Sequence, residues 1–224
     1  MKKFSRTLLS AVALTAAACG TAHAQQAGQW LFRGGVMSII PDVDSGDLSA
    51  PTVPGAKIDV EAATTLAGGI SYMVTDNWSV DLPLAVPLKH KIKGDGTIAG
   101  SGEIGTTKVA PVTIFGQYRF FEANAAFRPY VGLGLTYALF YDETANGTLT
   151  GLTNPGSSGT TMKIKDRFGL TPQVGATYAF DEKWFVEGML AKSILKTTTT
   201  LSTGQTIDTK LNPWTVGLYV GWKY

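Results

Sequence analysis

The closing stretch Trp214–Tyr224, WTVGLYVGWKY, constrains this chain more than any other part of it. Side chains alternate along a strand. Trp214, Val216, Leu218, Val220, Trp222 and Tyr224 therefore share one face, and Thr215, Gly217, Tyr219, Gly221 and Lys223 share the other. The first face is wholly apolar, with aromatics at both ends. An apolar band between two aromatic girdles is what a bilayer-crossing strand presents to lipid.

The same period recurs upstream. A first strand over about Gly28–Ile40 sets Trp30, Phe32 and Val36 against Leu31, Arg33 and Met37. A second, Ile58–Val74, carries an uncharged face from Ile58 and Val60 through Leu66 to Val74. The third starts at Trp78 with Val80, Leu82, Leu84 and Val86, and leaves Asp81 and Pro83 opposite. Val112–Phe120, Val131–Tyr141, Phe168–Phe180 and a strand from Trp184 to about Leu190 give the fourth to seventh. Lys192 breaks the pattern of the seventh.

Short turns fall near Asp76, Asn124 and Glu182. Long polar connections fall at Pro41–Lys57, Lys93–Thr106, Asp142–Thr161 and Thr197–Thr206. An even strand count with connections that alternate short and long predicts an all-β fold. The expected form is an eight-stranded antiparallel transmembrane β-barrel with short periplasmic turns and longer extracellular loops. Alternation alone also fits a soluble lipocalin-type barrel with its apolar face inward. The aromatics at strand ends, and the sparse charge of the opposite faces, favour the membrane arrangement.

The N-terminus reads as an export signal. Lys2, Lys3 and Arg6 precede an apolar core at Leu8–Ala18, and Ala22-His23-Ala24 is a small-x-small cleavage site. The expected division is residues 1–24 as signal peptide and 25–224 as the outer-membrane barrel, with cleavage between Ala24 and Gln25. Ala16–Gly20 loosely resembles a lipoprotein box, a rival that would lipidate Cys19. Ala16 in place of the usual Leu weighs against it. Cleavage after Ala24 removes the only cysteine and three cations. The 19 Lys+Arg and 17 Asp+Glu of the full chain become 16 against 17. No basic patch is left to suggest nucleic acid. Charged residues are 16% of the chain, against about 25% in soluble domains.

Several motifs resemble one family. They are Tyr72–Asn77 (YMVTDN), Pro87–Ile92 (PLKHKI), Phe127–Gly134 (FRPYVGLG), Lys165–Gly169 (KDRFG), Leu211–Trp214 (LNPW) and Gly221–Tyr224 (GWKY). In this order they resemble the outer-membrane protein W (OmpW) family, to which the alkane importer AlkL belongs. The resemblance implies a narrow, largely apolar lumen and passive uptake of small hydrophobic molecules. It also implies sideways exit through the barrel wall into the membrane. Outer-membrane lipid, small hydrophobic solutes, and assembly machinery reading the last strand at Tyr224 are the implied partners, with the chain acting as a monomer. A wall gap needs missing ladder donors, and Pro83, Pro111 and Pro172 are the candidates. The positions where the family narrows its lumen hold Pro83 and Ala191 here. That leaves Phe115, Phe140, Met189 and Tyr219 to narrow it, or simply to fill the interior.

Other chemistries are weakly supported. His90, the one histidine outside the leader, sits between Lys89 and Lys91 and reads as a solvated loop residue. Ile92 stands where a His-x-Ser hydrolase would need its nucleophile. Asp42, Asp44 and Asp47 read as a solvated acidic loop rather than a calcium site. No enzyme activity, cofactor or metal is expected. Asp59, Glu61, Arg119, Arg128, Arg167, Glu187 and Lys223 are expected to pair into structural networks. The alternative function is an interaction barrel whose loops bind host, phage or envelope partners.

Overall fold

The computed structural model describes residues 25–51, 54–156 and 159–224. The signal segment 1–24, with Ala24, lies outside the described residues. The elements are β1 (Trp30–Ile40), β2 (Asp44–Ser45), β3 (Ala56–Val60), β4 (Ala63–Met73), β5 (Trp78–Ala85), β6 (Leu88–Gly96), β7 (Glu103–Arg119), β8 (Phe127–Ala145), α1 (Gly147–Thr153), β9 (Met162–Ile164), β10 (Arg167–Ala179), β11 (Trp184–Lys192), β12 (Lys196–Leu201), β13 (Thr206–Lys210) and β14 (Trp214–Lys223).

A closed antiparallel circle runs β1-β4-β5-β7-β8-β10-β11-β14 and returns to β1. The chain ends close it, with β1 paired to β14 from Leu31↔Lys223 to Ile40↔Trp214. Closure leaves the barrel no free edge strand, which is the condition for a sheet to cross lipid.

The apolar faces point outward. Leu66, Val112, Leu133, Leu170 and Leu218 are all exposed. At the short-turn end, outward aromatics touch across strands: Trp30–Tyr72 at 4.8 Å, Phe32–Trp222 at 5.3 Å and Trp78–Tyr118 at 5.2 Å between ring centroids. Tyr137–Phe168 at 4.7 Å and Trp214 mark the loop end.

The predicted long loops are in large part strand. β12 and β13 form a hairpin within the fourth of them, and β3 pairs β6 between the first and second. β2, β13, β12 and β9 make a small separate sheet. α1 lies in the third loop. Asn146 caps it by accepting from the Thr148 and Leu149 amides, and Leu149 is buried.

One expectation fails at the second strand. A single outward face from Ile58 to Val74 would need an unbroken ladder, but Glu61 and Ala62 interrupt it between β3 and β4. The break shifts the alternation by one residue. Leu66 faces lipid while Ile58 and Val60 face the lumen. The third strand shifts likewise between Ala85 and Leu88, which turns His90 inward. A one-residue slip exchanges faces, and here it keeps the interior apolar where the outside turns polar.

Candidate functional site

The lumen divides into two parts. Toward the short turns it is filled by a buried polar network. Arg33 on β1 makes a bidentate pair with Asp81 on β5, at 2.6 and 2.9 Å. Ser71 donates to the same carboxylate at 2.6 Å. Glu187 on β11 lies 3.8 Å from Arg33 and accepts from the Tyr130 hydroxyl at 2.7 Å. Arg119 bonds Ser79 and Gln117, and Gln117 reaches Gln173 across the lumen at 2.9 Å. Asp81, Gln117 and Arg119 have no exposed surface. Each charge has a partner, as burial requires.

Gln25, the predicted first mature residue, joins this network. Its side-chain oxygen accepts from Arg119 at 3.2 Å, its side-chain amide donates to Thr177 at 3.0 Å, and its carbonyl accepts from Arg128 at 2.9 Å. Of the predicted charges, Arg119, Arg128 and Glu187 lie in this plug. Glu61 pairs with Lys93 near the loops. The central pair, Arg33 and Asp81, was absent from the predicted set. The available signal was an Arg and an Asp on lumen faces of strands otherwise poor in charge.

Above the plug is a cavity of about 110 Å³. An apolar cavity of roughly 150 Å³ takes benzene. Pro83, Phe115, Phe140, Met189 and Ala191, five of the six predicted contact residues, line it together with Met37, Ile39 and Leu195. Tyr219 does not. It packs with Tyr130 and Met189 below the cavity, 5.3 Å beneath the Arg33 guanidinium. Thr215 lines the cavity, but the inward glycines of β14 leave no open room, since Phe185 fills the space at Gly221 and Tyr219 that at Gly217. A Cβ on Gly217 would come within 2.4 Å of the Tyr219 hydroxyl, so that glycine is the seat of the folded ring. A smaller space of about 30 Å³ lies toward the loops, under Leu48, Leu149 and Leu201. The two share Ile58, Ile92 and Thr199.

His90 corrects the solvated-loop expectation. It is 3% exposed, lines the cavity, and its Nδ1 meets the Glu61 carbonyl at 2.8 Å. Burial lowers its pKa from the ordinary 6.5, and the Glu61 carbonyl only partly opposes this. Lys89 and Lys91 stay outside. The first-loop acids are engaged by cations. Asp42 pairs with Lys192 and Asp44 with Lys210, both at 2.7 Å, and Asp47 lies 3.9 Å from Lys57. The bond from Lys210 holds the Asp44 carboxyl below its usual range.

The wall beside the cavity is broken at one seam. β5 pairs β7 only from Trp78↔Tyr118 to Asp81↔Phe115. Pairing resumes at Leu88↔Val109. Between them, Leu82–Pro87 and Ala110–Ile114 have no ladder partners across this seam. The prolines explain the loss. The Val86 amide donates to Leu66 on β4. Backbone groups alternate in direction along a strand, so residue 83 aims at β7. The Arg119 amide donates toward Asn77, on the β5 side, so residue 111 aims at β5. Pro83 and Pro111 each delete a donor from the same seam. Pro172 causes a smaller fault between β10 and β11. It is bridged by Leu170↔Ile194 and by a 2.9 Å contact between the Thr171 and Ser193 hydroxyls.

The OmpW family matches residues 26–224. The chain belongs to this family. It is 37% identical to outer membrane protein W of Vibrio cholerae over 98% of this chain and 99% of that one. It is 27% identical to outer membrane protein AlkL of Ectopseudomonas oleovorans over 82% of this chain and 76% of that protein. The crystal structure of outer membrane protein OprG from Pseudomonas aeruginosa superposes with a TM-score of 0.80 at 28% identity, covering 90% of this chain and 98% of OprG. This OmpW-family chain is an outer-membrane barrel, with its short turns periplasmic and its long loops extracellular.

Proposed function

We propose that the barrel takes up small hydrophobic molecules passively and releases them sideways into the outer membrane through the seam between β5 and β7. One observation carries the reading: Leu84 lines the cavity and is also 50% exposed on the lipid-facing side, within the stretch that lacks ladder partners. Cavity and lipid meet there. Straight passage to the periplasm would cross the Arg33–Asp81–Glu187 network, where a hydrophobic solute would displace buried charge pairs at a cost of several kcal/mol. Entering the bilayer core instead removes its apolar surface from water, at about 25 cal/mol per Å². Tyr224, 85% exposed at the barrel's end, is free for assembly machinery to read.

The reading is tested by uptake of a hydrophobic reporter substrate in a deletion strain with and without the gene. Faster uptake on complementation is expected, together with negligible ion conductance of the pure protein in planar bilayers. Equal uptake would refute the reading and leave the loops, as a surface for partners, to explain the barrel.

A further inference from the structure

Four hydroxyls form a continuous chain across the cavity wall. Thr113 on β7 meets Thr136 on β8 at 2.8 Å, Thr136 meets Thr171 on β10 at 2.7 Å, and Thr171 meets Ser193, just beyond β11, at 2.9 Å. All four are at most 8% exposed and all line the cavity. Their surroundings are apolar, with Phe115, Ala138, Met189 and Ala191 in the same lining. Thr113 belongs to the stretch of β7 left unpaired at the seam, so one end of the chain lies at the wall gap.

Three bonds among four hydroxyls use three donors. One O–H is left over, and since each bond can run either way it can sit on any of the four. The chain is thus satisfied without a guest, yet it can donate to a guest oxygen or accept from a guest O–H. A second hydroxyl points the same way. Thr209 on β13, 1% exposed, lines the cavity on its loop side, and its oxygen has no hydrogen-bond partner among the described residues. Buried polar groups without a partner are uncommon enough to call for an explanation. A guest oxygen at the loop side of the cavity would partner it, in place of the hydroxyl chain.

We infer that the cavity selects amphiphiles with a single hydrogen-bonding oxygen on a short apolar chain over hydrocarbons of the same length, and that the hydroxyl chain Thr113–Thr136–Thr171–Ser193 is the binding site for that oxygen. The inference rests on the uptake reading above and names its solute class. A hydrocarbon fills the same space and gains no bond. One net hydrogen bond is worth about 1 kcal/mol, or roughly a fivefold preference.

The test is NMR titration of the protein in lipid nanodiscs with 1-hexanol and n-hexane, with empty nanodiscs correcting for partition into lipid. Hexanol is expected to bind about fivefold more tightly, with the largest amide shifts at Thr113, Thr136, Thr171 and Ser193. In Thr136→Val, which cuts the chain at a shape-conserving link, the ratio should fall to about one. Should that variant not fold, Ser193→Ala removes one end and should lower the ratio part-way. Equal affinities in the wild type, or an unchanged ratio in the variants, would overturn the hydroxyl site and leave uptake standing. Binding of neither solute would overturn both.

Discussion

The two halves of the lumen solve opposite problems with the same strands. The periplasmic half places long polar side chains on glycines and small residues until no room is left. The extracellular half places methyl groups, prolines and hydroxyls around a space. In the first half Arg33, Asp81, Arg119 and Glu187 are tied to other strands and Arg128 to the turns, so the wall is cross-linked through the lumen. In the second, Thr113, Thr136, Thr171 and Ser193 link neighbouring strands only, and there the β5–β7 ladder is also open. A barrel that must be both sealed and leaky can therefore separate the two duties by height.

The comparison breaks most strongly at Asp81. Asp81→Ala leaves Arg33 buried with only Glu187, at 3.8 Å, as a charged partner. We expect a loss of about 3 kcal/mol or more, read as a lower urea midpoint in detergent, together with measurable ion conductance. The cavity-lining Ala191→Gly, which removes one methyl from an already open space, should cost much less.

A pair of glycine substitutions sharpens the contrast. A Cβ on Gly175 would lie 2.5 Å from the Tyr130 ring and 2.8 Å from the Gly188 carbonyl, neither free to yield. Gly175→Ala should cost about 1–3 kcal/mol. A Cβ on Gly134 would lie 2.6 Å from Phe115, whose ring borders the cavity and can swing into it. Gly134→Ala should cost under about 1 kcal/mol but slow uptake. Thermal unfolding and uptake on both variants check this.

The smallest effect belongs to His90. Its pKa is lowered in the folded barrel, so the unfolded chain takes up a proton first as pH falls. The stability it contributes is present above about pH 6.5 and is lost as pH drops through the lower folded value. The urea midpoint in detergent should fall from about pH 7 to about pH 5 in the wild type and change less in His90→Gln.

The outward face was legible because lipid imposes a strict period on it, and Trp78 through Val86 or Trp214 through Tyr224 carry it unbroken. The breaks were harder to read. Nothing local at Glu61-Ala62 announces a slip, since either face of β3 is acceptable once the strand leaves the membrane. His90 was misplaced for the same reason: its lysine neighbours suggest solvent, and only the shifted register turns it inward. Tyr219 was assigned to the correct face but at the wrong height, because parity gives direction and says nothing of depth. Pro83 and Pro111 were visible as faults. That they delete donors from one shared seam depends on the register of β5 against β7, which no single strand encodes.

The central claim is that solute leaves through that seam. Pro83→Val with Pro111→Val restores both donors and should let the ladder continue from Asp81↔Phe115 toward Leu88↔Val109. We expect slower amide exchange at Ala85 and Thr113, whose amides face the seam, and uptake of a hydrophobic reporter reduced severalfold toward the deletion-strain level, with the barrel still folded. A zipped seam with uptake undiminished would contradict the account.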